Sequence, residues 1–353
     1  MIQRQMDEKV VSQFEKNIGQ YFSPRWTKED IEFFLGPSKY EVDVYALQNS
    51  LNKPIRSFLL RGGKRLRPLL FWTILKAYKK ERQELLAVAS VIELVHNGTL
   101  VLDDIEDNAL TRRGKPSSHR EFGLDTATNV GMSLHVLPLM ILLKEQSGLT
   151  DRQKIRLFEV YAQELTNVSF GQALDIYWHK NARHDITRKK YFEMVMLKTG
   201  SLMRMSAKMA AILADQDEAT ERAFSEFAEN IGIAFQIIDD TLDLEKADVR
   251  FGKAYGNDIS EGKISLPVIE ALHHLDEKDT EELLLILDKH THDKRLIKKA
   301  IDLIIKGEGT VRAKKKARSL VSDAMVELTT KLGTTFDSTE IVALAQFMID
   351  RTY

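Results

Sequence analysis

A five-residue acidic pattern, DDxxD, occurs twice in this chain, at residues 103–107 and 239–243, each time inside an apolar run. Nothing else in the sequence limits the fold as strongly. On a helix, side chains three and four positions apart are neighbours. Asp103, Asp104 and Asp107 would then share one space, and so would Asp239, Asp240 and Asp243. The segments 85–102, 155–176, 191–214 and 219–244 hold a helical period over lengths beyond an ordinary strand. Glycine and proline are sparse, 18 and 7, and neither period-2 alternation nor a hairpin signal stands out. The prediction is an all-α fold without significant sheet. Its architecture is a single large bundle of roughly ten or more helices around a central cavity, where facing helices build sites in the core. Residues 1–45, which contain a Gly36-Pro37 turn signal, read as an N-terminal helical extension, and residues 46–353 as the main helical domain.

Clustered carboxylates repel unless a cation sits between them. Mg²⁺ suits such a cluster, because it is hard and binds one or two carboxylates together with substrate phosphates. One DDxxD alone is compatible with a solvated acidic helix face. Two of them, each followed by basic residues, point to metal ions gripping a diphosphate. The basic residues are locally placed: net charge is −1, so no global field steers the chain to nucleic acid or to an anionic membrane. There is no cysteine, which excludes disulfides and thiol chemistry. The N-terminal residues lack the apolar core of a signal peptide. No run of about 18 apolar residues stands out as a membrane span. The expectation is a cytoplasmic protein with no integral membrane segment and no nucleic-acid partner.

Further motifs surround the acid clusters. GGKRLRP at 62–68 pairs glycines, which allow close backbone approach, with Lys64, Arg65 and Arg67. Taken alone it is also compatible with a solvated basic turn. With the acid motifs it reads as a diphosphate clamp, since lysine supplies a point charge and arginine a planar fork. ELVHN at 93–97 places His96 two turns before Asp103, where a satisfied core histidine is the ordinary alternative. DDIEDNALTRRGKPSSH at 103–119, KTG at 198–200, FQIIDDTLD at 235–243 and GNDISEGKISLPVI at 256–269 complete the set.

In this order, and over roughly residues 45–330, these motifs resemble the trans-isoprenyl diphosphate synthases of the polyprenyl synthetase family. The resemblance implies a head-to-tail (1′-4) trans-prenyltransferase that condenses isopentenyl diphosphate with an allylic diphosphate. It implies Mg²⁺, three ions per active site, on Asp103, Asp107, Asp239 and Asp243, with Asp104 and Asp240 completing the acid sets. Gly63, Lys64, Arg67, His96 and Arg113 are implied at the isopentenyl diphosphate, with Arg65 structural. Arg112, Lys198, Lys253 and Lys263 are implied at the allylic diphosphate or in a loop closing on it. Thr199 would face the carbocation, with Gln236 beside the second acid set. Gln172 and Asp175 would face the cavity, and a homodimer is the family norm.

Gly98 and Thr99 precede Asp103 by five and four residues, where the family sets the floor of the hydrocarbon cavity. Both are small, so the floor is expected to be open. The stop would lie deeper, near Val95, Ile92 and Val91, or on a facing wall at 129–142 with Met132, His135 and Met140. This favours a geranylgeranyl (C20) or longer product over farnesyl, and the stretch from His96 onward is similar to geranylgeranyl diphosphate synthases. Two rivals are a terpene cyclase and a non-catalytic subunit of a heteromeric synthase. A cyclase needs no isopentenyl clamp, and a regulatory subunit typically lacks an acid motif that this chain keeps.

Overall fold

A computed structural model describes residues 2–145, 148–181, 184–245, 256–333 and 336–350. The chain divides into two compact units, residues 1–156 and 157–353. Both are built of helices, as the periodicity predicts.

In the first unit α1 (Ile2–Tyr21) and α2 (Lys28–Leu35) are followed by α3 (Val44–Leu47), a π-helical turn at Gln48–Asn52 and α4 (Lys53–Leu59). Then come α5 (Leu66–Ala77), α6 (Leu86–Glu106), strands β1 (Thr111–Arg112) and β2 (Lys115–Pro116), α7 (Ser118–Phe122) and α8 (Leu124–Lys144). A capping box starts α2: Thr27 accepts the Asp30 N–H and Asp30 accepts the Thr27 N–H. Within residues 2–45, helices α1 and α2 are built into the core. Phe14, Ile18, Phe22, Trp26 and Phe34 are buried, and α1 packs on α5 and α6. Helix α6 is apolar nearly all round and correspondingly buried. It packs on α8 where Gly98 meets Gly131.

Helix α9 (Asp151–Lys180) begins in the first unit and runs into the second. There follow α10 (Arg188–Val195), a π turn at Met196–Gly200, α11 (Ser201–Leu213), α12 (Glu218–Asp243), α13 (Asn257–Ser260) and α14 (Leu266–Leu272). The unit closes with α15 (Glu277–Asp288), α16 (Lys294–Lys306), α17 (Gly309–Leu332) and α18 (Thr339–Ile349). Asp217 caps α12 by accepting the Thr220 N–H at 2.8 Å, and Glu218 and Glu221 complement the helix dipole in the first turn. Helix α12 packs on α11 and α17.

Two local features stand beside the expected all-α fold. A two-residue antiparallel hairpin, Thr111 opposite Pro116 and Arg112 opposite Lys115, follows the first acid motif. It is too short to show alternation. Its turn is Arg113-Gly114, both at positive φ (54° and 73°), the torsions of a tight type I′ reversal. Second, two helical segments are long and apolar enough, by length and composition alone, to cross a membrane: 83–106 and 124–144. Polar residues break both apolar runs, Glu93, His96 and Asn97 in the first and Asn129 and His135 in the second. The first is 78% buried and the second 39%.

Candidate active site

In the first unit the acid motif ends α6. Asp104 is fully buried, whereas Asp103 and Asp107 are half-buried. Arg112, on the hairpin, donates from Nε to Asp104 Oδ1 at 2.7 Å, and its Nη2 lies 3.5 Å from Asp103 Oδ2. The other Asp104 oxygen is buried without a hydrogen-bond partner among the described residues. Burial pushes the Asp104 carboxyl up while Arg112 pulls it down. The middle acid therefore seats Arg112, and the two outer acids are the half-buried members of the motif.

Arg113 turns the other way. Its guanidinium donates to the Gly62 carbonyl and lies over the Phe58 ring, 5.8 Å from the centroid. Gly62 and Gly63 both have positive φ, 76° and 147°. A Cβ at Gly63 would sit 3.0–3.3 Å from the Arg113 guanidinium, so the glycine pair makes room for the arginine. Burial brings Arg113 down to about 10, against the pull of Glu93. Arg65 is buried on Glu93 (2.6 Å) and the Leu59 carbonyl (3.0 Å), the structural role expected of it. Lys64 is exposed and Arg67 half-buried. Burial, followed by the fields of Arg67, Arg113, Arg65 and Arg112, holds His96 well below the usual imidazole range. His96 is thus a neutral ring with one N–H to donate among cations.

In the second unit a cleft of about 570 Å³, open to solvent, is lined by Asp175, Trp178, His179, Tyr191, Lys198, Thr199, Gln236, Asp240, Asp258 and Lys263 among others. Lys198 Nζ donates to Asp175 Oδ2 at 2.6 Å. A relay runs across the cleft: Thr199 Oγ1 donates to Gln236 Oε1 (2.9 Å), and Gln236 Nε2 donates to Asp240 Oδ1 (2.8 Å). Tyr191 OH donates to Asp240 Oδ2 at 2.6 Å. Burial, then the field of Asp258, pushes Asp240 up to about 7. Asp243 Oδ2 accepts the Asp258 N–H at 2.9 Å, tying the acid motif to α13. Lys263 pairs with Glu261. Here too the middle acid is buried and bonded by protein, and Asp239 is half-buried.

The KTG segment is a π turn inside the run over 191–214 that the sequence reads as regular helix. Gly200 itself is helical, with φ −61°. Two glycines on neighbouring helices accommodate the wider turn. A Cβ on Gly171 would lie 2.3 Å from the Lys198 backbone nitrogen, and one on Gly232 would lie 3.1 Å from Gly200 Cα. Such turns often mark functional sites.

Two of the chain-length expectations, Gly98 and Met132, meet the structure differently. Gly98 is not an open floor: a Cβ there would meet Leu134 Cβ at 2.8 Å and the Gly131 carbonyl at 3.1 Å, so α8 fills the position. Thr99 is half-buried, its hydroxyl donating to the His96 carbonyl at 2.8 Å. Val91 and Val95 are fully buried. Met132 is 59% exposed, so it does not serve as an inner wall. Lys253 lies outside the described residues. Tyr191 and Phe58 carried no sequence signal of their own, since they meet Asp240 and Arg113, partners distant in the chain.

The donor set fits Mg²⁺. The acids Asp103 and Asp107, and Asp239 and Asp243, offer only oxygen. Among the described residues no three His, Cys, Asp or Glu side chains converge to hold an ion by themselves. A cation that takes one or two carboxylates and completes its shell with phosphate and water matches such a site.

Residues 48–304 match the polyprenyl synthetase family. This chain belongs to that family. The chain is 36% identical over 250 residues to a short chain isoprenyl diphosphate synthase of Methanocaldococcus jannaschii, covering 70% of this chain and 74% of the relative. It is 34% identical over 245 residues to a geranylgeranyl diphosphate synthase of Sulfolobus acidocaldarius, covering 69% and 74%. Among solved structures, the geranylgeranyl pyrophosphate synthetase of Pyrococcus horikoshii superposes with a TM-score of 0.81 at 28% identity, covering 99% of this chain and all of that one. Membership in the polyprenyl synthetase family accounts for the all-α architecture and for the paired acid motifs together.

Proposed function

We propose that this protein condenses isopentenyl diphosphate with an allylic diphosphate in a head-to-tail (1′-4) prenyl transfer. The proposed product is geranylgeranyl diphosphate, and residues 46–353 act as the catalytic domain. The observation that carries this reading is that each acid motif buries its middle acid on a partner within the protein. Asp104 and Asp240 are buried and bonded within the protein, whereas Asp103 and Asp239 are half-buried.

Mg²⁺ on Asp103, Asp107, Asp239 and Asp243, three ions per site, would neutralise charge growing on the departing diphosphate. Arg112 and Lys198 add fixed positive charge to that leaving group, with Lys253 and Lys263 assigned to the loop that covers it. Asp104 and Asp175 hold those two cations in place beforehand. Lys64, Arg67, His96 and Arg113 bind the isopentenyl diphosphate, and His96, being neutral, donates one hydrogen bond. Thr199 presents its hydroxyl oxygen to the allylic cation while its proton is committed to Gln236. The isopentenyl double bond attacks that cation, and the released diphosphate takes the final proton. Water must be kept from the cation, which Trp178, Met194, Val195 and Ile264 around the cleft would do once substrate fills it.

A C20 product is supported by the relatives, geranylgeranyl diphosphate synthases among them, and by the small side chain of Thr99. A homodimer is supported by the outer face of α8, where Met132, Val136 and Leu143 are 59%, 59% and 52% exposed. The site is assigned to a cytoplasmic enzyme acting at no nucleic acid. Asp103→Ala and Asp239→Ala test the metal assignment. Each should abolish condensation while leaving the helical circular dichroism signal intact, and turnover in both variants would refute it.

A further inference from the structure

The π turn that carries Lys198 and Thr199 is held by one buried arginine. Arg204, on α11, uses all five of its N–H groups. Nε donates to Glu164 Oε2 at 3.0 Å, and Nη2 donates to the same oxygen at 2.9 Å and to Ser201 Oγ at 2.9 Å. Nη1 donates to Glu229 Oε2 at 2.8 Å and to the Met196 carbonyl at 3.2 Å. Ser201 Oγ relays the contact by donating to the Leu197 carbonyl at 2.5 Å. Met196 and Leu197 are the first residues of the π turn. The arginine therefore joins the turn to α9 through Glu164 and to α12 through Glu229.

The charges balance locally. Glu164 is fully buried and also accepts Lys208 Nζ at 2.7 Å. A buried ion network is a costly way to hold helices together, because apolar residues of like volume do as well or better. Apolar residues cannot donate to a backbone carbonyl in a widened turn. We propose that Arg204, seated by Glu164 and Glu229, is a positioning residue that fixes the π turn so that Lys198 and Thr199 meet the allylic substrate. This inference rests on the prenyltransferase reading above.

Arg204→Lys is the informative variant. It keeps one positive charge in the network, but an ammonium cannot span two carboxylates, a hydroxyl and a carbonyl as the planar fork does. Steady-state kinetics on the wild type, Arg204→Lys, Lys198→Ala and the double variant, with each diphosphate varied in turn, provide the test. Arg204→Lys should lower kcat roughly 10- to 100-fold, the scale of an ångström-level misplacement. KM for isopentenyl diphosphate should stay within about twofold. In the Lys198→Ala background the same change should cost less than about threefold more, because both act through one turn. If Arg204→Lys does not fold, Ser201→Ala takes its place in the cycle, with a loss of roughly threefold to tenfold expected from one missing hydrogen bond. Fully multiplicative losses, or a wild-type kcat in the variant, would overturn the proposal while leaving prenyl transfer standing. Absence of condensation by the wild type would refute the reading beneath it.

Discussion

Asp104 and Arg112 form a closed pair: the guanidinium Nε lies 2.7 Å from Asp104 Oδ1, and the carboxylate is completely buried. The second acid of the first motif is thus committed to the protein. Removing the arginine strands a buried carboxylate. Arg112→Ala should destabilise the fold by about 3 kcal/mol, the low end for a broken buried pair because Arg112 keeps some solvent. Urea unfolding at neutral pH measures it. Asp104→Asn, which keeps an acceptor oxygen, should cost less.

Gly63 makes room for Arg113. Gly63→Ala would push a methyl group to within 3.0–3.3 Å of the guanidinium, at a φ of 147° that side chains avoid. Displacing Arg113 should raise KM for isopentenyl diphosphate roughly 10- to 100-fold, the worth of one charge-assisted hydrogen bond. KM for the allylic substrate should change little. Initial rates with each substrate varied in turn separate the two.

Asp240 gives the metal-free protein a pH signature. Burial, together with the field of Asp258, raises its carboxyl from the ordinary 3.8 to about 7. Between those values the folded state binds the proton and the unfolded state does not, so stability falls with rising pH. The contribution is fully present below 3.8 and lost as pH passes through about 7. Urea unfolding of metal-free wild type and Asp240→Asn across this range should show the wild type losing stability relative to the variant as pH rises. A pH-independent difference would contradict the assignment.

Gly171 and Gly98 mark close approaches of backbone. A Cβ on Gly171 would lie 2.3 Å from Lys198 N, and one on Gly98 would lie 2.8 Å from Leu134 Cβ. Both alanine variants should lose about 1–3 kcal/mol to overpacking. Only Gly171→Ala should also lower kcat out of proportion, because it moves the turn bearing Lys198. Melting temperature and kcat measured on the same preparations distinguish them.

The helical class and the two acid motifs were legible because a 3.6-residue period and a DDxxD spacing are local features. GGKRLRP and KTG were legible as motifs, and Arg65 as the structural member of its cluster. The pairings were not. Spacing on α6 places Gly98 one turn from Asp103, yet it does not say that α8 occupies the space the glycine leaves. Periodicity does not register one extra residue in a turn, so the π turns at Gln48–Asn52 and Met196–Gly200 read as ordinary helix. The 111–116 hairpin is shorter than any pattern that announces a strand. Tyr191, which meets Asp240 across 49 positions, and Arg204, which meets Glu164 across 40, depend on tertiary packing alone.

Product analysis tests the central claim most directly. Purified protein is incubated with Mg²⁺, isopentenyl diphosphate and radiolabelled dimethylallyl, geranyl or farnesyl diphosphate, and the dephosphorylated products are resolved by length. The account predicts Mg²⁺-dependent elongation ending chiefly at C20, abolished by Asp103→Ala and by Asp239→Ala. Cyclised hydrocarbon formed without isopentenyl diphosphate, or no elongation by folded protein, would contradict it.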